Sequence, residues 1–450
     1  MISALFFILL LAFIILYIII GKAAAVKTET VEDYFLSKKG LGIFSLTLTL
    51  LATQLGGGAL LGSADEAYLK GWVVIFYPLG MSLGLIVLSL GFGARLKNLG
   101  LKTIAELFQK VYGSYRLRQI VSILSIATLF FILVVQGIAA RKFFASIGFD
   151  FNYVFLSFWF VVILYTTIGG FKGVVNTDIV QTIFIVGTLI LVFFVSKSFL
   201  IIPQETVNVR SFYKNVPWIG WLLMPLLFMI IGQDMGQRCF SAKNSKIISK
   251  AGIIAAVILM ISCSFAIYFG VLAKKLGLDI SANKGVLMTT ISAVTNPVIT
   301  TIFACTILMV IISTADSLLC SIASNLSFDL IFLKNKTAKN QLIISQIITF
   351  TVGISAMLCS YFFNNILFVL IQSYEFFVSI LFIPCTMAIF YKKLSIKPAV
   401  SSMIVGTICF IGFKLWIPPI SKEILTLSFS YFSFFVIQKM VSRVDIRPCA

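Results

Sequence analysis

Apolar runs long enough to cross a bilayer recur thirteen times in this chain, at 2–20, 43–64, 72–94, 119–140, 152–170, 177–202, 218–236, 251–273, 297–325, 341–362, 365–391, 399–417 and 424–441. A membrane helix needs roughly 17–25 such residues. In hydrocarbon its backbone N–H and C=O groups must be satisfied internally. The expected fold class is therefore an all-α polytopic membrane protein with about 13 transmembrane helices. With 60% hydrophobic and 11% charged residues, the chain has too much apolar surface to hide in water. The first run lacks a basic n-region and is too long for a signal-peptide core, so it reads as an anchor.

Charge assigns the sides. The formal net charge is +19, from 35 Lys+Arg against 16 Asp+Glu. Segments after odd-numbered runs, with the C-terminal tail, carry 24 of these basic residues, and those after even-numbered runs carry 10. The positive-inside rule then places the C-terminus in the cytoplasm and the N-terminus outside, in the cell's inner (plasma) membrane. Loop charge of this kind explains the basic balance without a nucleic-acid partner. There is no histidine, which removes the usual proton shuttle and the commonest metal ligand. The eight cysteines are scattered singly and read as small buried hydrophobes. No nucleophile–base pair stands at motif spacing, so no enzyme is expected. Only about ten residues follow the last run, so no attached soluble domain and no obligatory protein partner are expected.

Two runs are interrupted. Run 2 reads "LLATQLGGGALLGSADEAY", with Gly56, Gly57 and Gly58 at membrane depth. Run 7 ends "MIIGQDMGQR", with Gly232 and Gly236 around Gln233 and Asp234. Each mid-helix glycine costs about 1 kcal/mol relative to alanine, and irregular backbone survives in a membrane only against a cavity or under protein. The breaks lie five helices apart, which predicts a core of two inverted five-helix repeats. The expected divisions are 1–42, a first accessory helix and loop; 43–202 and 203–391, the repeats; and 392–450, two accessory helices and a tail. Gln54, Gly56, Gly57, Gln233 and Asp234 at the breaks, and Tyr77 in run 3, are the candidate solute contacts.

Run 9 closes with "IISTADSLLCSIASN". At 100° per residue, Ser313, Thr314, Ser317, Ser321 and Ser324 share a stripe with Val310, and Asp316 lies at its edge. Hydroxyls alone fit helix glue equally well; an ionisable neighbour tilts the stripe toward an ion path. Two adjacent hydroxyls, a carbonyl one turn earlier and carbonyls from broken run 2 form a neutral oxygen cage suited to a monovalent cation, whereas Mg²⁺ or Ca²⁺ normally recruits carboxylates.

Three motifs resemble the sodium:solute symporter family, transporters of sugars, proline, pantothenate, choline and similar solutes: "YTTIGGFKGVVNTDIVQ" (165–181), "GQDMGQRCFSAKN" (232–244) and "ISTADSLLCSIASN" (312–325). The resemblance implies a LeuT-like core in helices 2–11 and Na⁺ as the coupling ion. It carries a sodium site onto the carbonyls of Ala52, Leu55 and Val310 and the hydroxyls of Ser313 and Thr314. It also places Asp178 on the route by which sodium leaves, although "NTD" can equally cap a helix. Run 2 is closest to the choline branch, yet Gln54 stands where that branch has tryptophan. Amides and a carboxylate favour a small organic solute such as proline or another amino acid, and Asp234 also suits an amine. Alternatives are an organic cation, pantothenate or a sugar, or a proton-coupled carrier using Asp178, Asp316 or Glu375. Asp316 and Glu375 remain buried acids without a role.

Overall fold

A computed structural model describes residues 4–26, 28–37, 40–149, 152–196, 216–281, 284–330, 337–416, 418 and 421–441. The spans are α1 (Ala4–Ala25), α2 (Ile43–Gln54, resuming through Gly58–Gly62 into Ser63–Lys70) and α3 (Phe76–Val87, continuing through Leu88–Phe92 into Gly93–Asn98). α4 is Tyr115–Ser146, and the helix Asn152–Val195 is parted at Gly170 into α5 (152–169) and α6 (171–195). α7 is the bent pair Trp218–Ile231 and Gln233–Ser241, α8 is Ser245–Lys275 and α9 is Pro297–Asn325. α10 (Ala338–Cys359), α11 (Ile366–Phe390), α12 (Ile396–Leu415) and α13 (Lys422–Val441) complete the bundle. By length and composition ten helices can cross a membrane, or eleven with the bent pair. Parting one at Gly170, and separating α2 from α3, makes the thirteen expected. The division expected at 202/203 and the C-terminal tail lie outside the described residues.

The two breaks differ in form. α2 leaves helical geometry at Leu55 (φ −76°, ψ 50°) and resumes at Gly58 in a π-helical turn. Glycine is needed at position 56 for close approach, because a Cβ there would stand 2.5 Å from Thr314 Oγ1 and 3.0 Å from its Cγ2. In α7 the spacing predicts an unwound stretch from Gly232 to Gly236. Only Gly232 (φ −66°, ψ 138°) leaves the helix, and the axis bends by 40°. Helix restarts at Gln233, and Gly236 lies within it, packed so closely on Ile104 that a Cβ would meet Cδ1 at 2.7 Å.

The six residues expected as a loop between runs 5 and 6 are helix. Gly170 (φ 56°, ψ −163°) turns the chain in one residue, with Tyr34 packed where a Cβ would stand. α6 thus starts before Thr177 and Asp178, so neither is a helix cap; the Thr177 hydroxyl donates to the carbonyls of Gly173 (3.2 Å) and Val174 (2.9 Å).

Three short helices escape a search for spanning runs: Val31–Phe35, Ile104–Tyr112 and Val286–Val294. The first carries a capping box from Thr30 to Asp33, and the second is capped by Thr103 and stopped by left-handed Gly113 (φ 69°). Between the segment before α2 and the end of α7, Leu41 N donates to Ser241 O (2.7 Å) and Lys243 N to Leu41 O (3.0 Å). Of the described cysteines, Cys239, Cys263, Cys305, Cys320 and Cys385 are buried, as expected of small hydrophobes, whereas Cys359 and Cys409 are only half-buried.

Candidate functional site

The end of α2's first half lies against the middle of α9. The Ser313 hydroxyl donates to the carbonyls of Ala52 (3.1 Å) and Val310 (3.1 Å). That of Thr314 reaches the carbonyls of Ala52 (3.3 Å) and Thr53 (3.0 Å). Four of the five oxygens named for the sodium site thus converge, two hydroxyls and two carbonyls, all buried. Leu55 is buried where α2 leaves helical geometry, and Thr53 brings a carbonyl that was not foreseen. A carbonyl's contribution is invisible to side-chain reasoning; the signal lay only in the glycines that end the helix beside it. The donor set is uncharged and dense in oxygen, which fits a monovalent cation.

One turn deeper lies Arg238, fully buried on α7. Its guanidinium donates to the Thr49 carbonyl and hydroxyl (3.2 Å each), to the Ser317 hydroxyl (2.6 Å) and to the Asp234 carbonyl (3.0 Å). It stands 3.6 Å from Asp178, whose Oδ2 also accepts from the Thr49 hydroxyl at 2.5 Å. The Thr53 hydroxyl, 3.1 Å from that of Ser317, joins this network to the oxygen cluster above. Asp178 is therefore held by a cation and a hydroxyl from two other helices.

Asp316 takes a hydrogen bond from the Tyr165 hydroxyl on α5, while its Oδ1 has no partner among the described residues. Glu375 is removed from both clusters. It pairs with Lys422 of α13 (2.7 Å) and accepts from Gln372 (3.1 Å), tying an accessory helix to α11. Ser321, on the same stripe as Ser313, donates to Gln237 (2.8 Å) and belongs to helix packing.

A cavity opens between the breaks, lined by Gln54, Gly56, Tyr77, Asp234, Phe228 and Tyr374 among others, with Thr314 shared with the oxygen cluster. Gln54 Nε2 donates to Asp234 Oδ2 (3.1 Å). Gly57 instead donates its N–H to Gln136 Oε1 (2.8 Å), and Gln233 accepts from the Ile104 amide (2.7 Å) at the start of Ile104–Tyr112. These two positions of the expected solute set thus act in holding the breaks. Phe228 and Tyr374, with ring centroids 4.5 Å apart, are walls that the sequence does not single out.

The fold is shared with solved transporters. Over the whole of both chains it matches a Na⁺-coupled sialic acid symporter in a substrate-bound outward-open state, with a TM-score of 0.78 at 16% identity. It matches Mhp1, a nucleobase-cation-symport-1 family transporter, with a TM-score of 0.59 at 13% identity over 91% of this chain and 94% of that one. The shared fold is the LeuT-like architecture expected from the paired breaks. The family model of the sodium:solute symporter family matches residues 34–406, and the chain belongs to that family, whose coupling ion is sodium. Among curated relatives, the sodium/pantothenate symporter of Haemophilus influenzae is 25% identical over 70% of this chain and 69% of its own length. The osmoregulated proline transporter of Bacillus subtilis is 25% identical over 88% and 85%. Human high affinity choline transporter 1 is 26% identical over 58% and 49%.

Proposed function

We propose that this protein couples sodium entry to the uptake of a small amine-bearing solute, an amino acid such as proline or an organic cation, across the plasma membrane. In this reading sodium sits among the carbonyls of Ala52, Leu55 and Val310 and the hydroxyls of Ser313 and Thr314, with the Thr53 carbonyl beside them. The observation that carries it is the meeting of the two α9 hydroxyls with the carbonyls at the end of α2's first half, 3.0–3.3 Å apart. Hydroxyls that donate to carbonyls in the ion's absence can turn their lone pairs to it, so the cluster needs little rearrangement to become a cage. Solute binds next to it between Gln54 and Asp234, sharing Thr314. Asp178 takes the departing ion toward the cytoplasm. The relatives' named solutes, pantothenate, proline and choline, span anion, zwitterion and cation, so they leave the choice to the site's own chemistry.

The test is uptake into proteoliposomes with an imposed sodium gradient, against the same gradient of potassium or protons. Uptake that follows sodium alone supports the reading. Uptake driven equally by a proton gradient without sodium defeats it.

A further inference from the structure

The cavity's charge balance narrows the solute. Asp234 occupies the second residue of α7's second half, Gln233–Ser241, where helix amides and the macrodipole favour an anion. It is 2% exposed, its Oδ2 accepts from the neutral Gln54 amide, and its Oδ1 has no hydrogen-bond partner among the described residues. Arg238, a turn away on the same helix, meets Asp234 at the backbone carbonyl and turns its guanidinium to Asp178, Ser317 and Thr49. No Lys or Arg is among the residues found lining the cavity. Arg238 acts on this carboxylate only from a distance, with no ion pair to it, and a buried carboxylate without a direct ionic partner is costly, so the ligand is well placed to bring that partner.

The remaining walls suit a cation. Phe228 and Tyr374 are tilted 31° to each other, and Tyr77 is buried beside them. The negative faces of such rings attract ammonium groups. A carboxylate on the ligand would meet Asp234 and the aromatic rings, with amides and hydroxyls but no Lys or Arg among the described lining residues. The space between these groups is narrow, so a compact solute enters with less displacement of the rings than a bulky one.

We propose that the solute is a compact monovalent amine cation, its nitrogen held by Asp234 and by the aromatic wall that Phe228, Tyr374 and Tyr77 form. This rests on the sodium-symport reading and decides between its two solute classes. The test uses purified full-length protein and thermal shift, titrating pyrrolidine, L-proline and cyclopentanol as cation, zwitterion and neutral ring of similar size, with choline as a bulkier cation. Each titration is made in sodium and in potassium. Pyrrolidine is expected to stabilise the protein in sodium, with half-saturation at least tenfold lower than L-proline or cyclopentanol. Asp234→Asn should weaken pyrrolidine at least tenfold, as should Tyr374→Leu, while both keep the stabilisation by sodium alone that reports an intact fold. Binding of L-proline as tight as pyrrolidine overturns the proposal. So does silence from both cations while sodium still stabilises, or pyrrolidine affinity unchanged in Asp234→Asn. Loss of the sodium shift in the unmutated protein would instead strike the symport reading.

Discussion

Removing one hydroxyl from the oxygen cluster is the most direct perturbation. Thr314 Oγ1 lies 3.0 Å from the Thr53 carbonyl and 3.3 Å from that of Ala52, and Ser313 Oγ lies 3.1 Å from those of Ala52 and Val310. Both residues are buried, so the hole left by Thr314→Ala or Ser313→Ala has no route for water to replace the lost oxygen at the right place. An interaction of hydrogen-bond scale with a charged group contributes about 1.5–3 kcal/mol. At about 1.4 kcal/mol per decade, that is roughly a 10- to 150-fold loss in affinity. The expected result is a rise of at least tenfold in the sodium concentration for half-maximal uptake, read from initial rates in proteoliposomes. Solute affinity at saturating sodium should move far less, and Thr314→Ser should restore most of the wild-type curve. The control is Thr306→Ala on the same helix, whose hydroxyl bonds only its own Ile302 carbonyl (3.1 Å). Ser321 cannot serve, because it holds Gln237 of α7. Wild-type sodium curves in both alanine variants would mean that the hydroxyls are packing glue and that sodium binds elsewhere.

Asp178→Asn leaves Arg238 without its carboxylate, so transport rate and apparent sodium affinity should fall more than solute affinity; unchanged sodium activation would refute an exit role. With the native cysteines replaced, a cysteine at exposed Ser281 should react with an impermeant thiol reagent in intact cells, and one at exposed Lys246 should react only after permeabilisation; the reverse pattern would invert the topology. Lys422→Met strands the Glu375 carboxylate, which is 7% exposed, beside Gln372. Breaking a fully buried pair costs about 3–5 kcal/mol. Partial exposure of Lys422 reduces this to roughly 1–3 kcal/mol, so the melting temperature should drop and the double variant Glu375→Gln, Lys422→Met should recover most of it. A double variant no better than Lys422→Met would show that lost packing, not charge, was responsible.

What could be read from the sequence was what composition marks locally. Three glycines in an apolar run, and Gly232 before Gln233 and Asp234, are anomalies at membrane depth, and both runs break there. The hydroxyl stripe followed from helical period alone, because Ser313 and Thr314 need only a common face to meet α2. Partnerships across the fold were hidden. Arg238 lies sixty positions from Asp178, and nothing local says that its charge turns to α6 rather than to Asp234 on its own helix. Phe228 and Tyr374 are two aromatics in a chain with 44 Phe and 14 Tyr, so composition cannot mark them; they become walls only once the first half of α7 packs against α11. Gly170 misled for the opposite reason. Lys172 and Asn176 give 171–176 the look of a loop, whereas one left-handed glycine already supplies the turn.

The placement of the two clusters bears on how binding can move the protein. The second half of α7, Gln233–Ser241, is tied to one set of elements: Arg238 to α2 and α9, Gln237 to Ser321 and to the Phe35 carbonyl (2.7 Å), and Gln233 to the start of Ile104–Tyr112. Its first half is tied elsewhere, since Gly80 and Gly84 let α3 close onto the carbonyls of Leu222 and Leu226 so tightly that any Cβ would clash. The bend at Gly232 is thus the joint between two separately anchored bodies. A ligand shifts such an equilibrium only by contacting its two states differently, and the cavity is lined from both sides of the joint, by Phe228 on the first half and Asp234 on the second. The hydroxyl of Thr314 lies on the wall that this cavity shares with the oxygen cluster. Under the proposed reading, a sodium ion that fixes the end of α2 would also fix one wall of the solute's pocket. In that arrangement each ligand pre-organises the other's site, and the coupling free energy between them must be reciprocal.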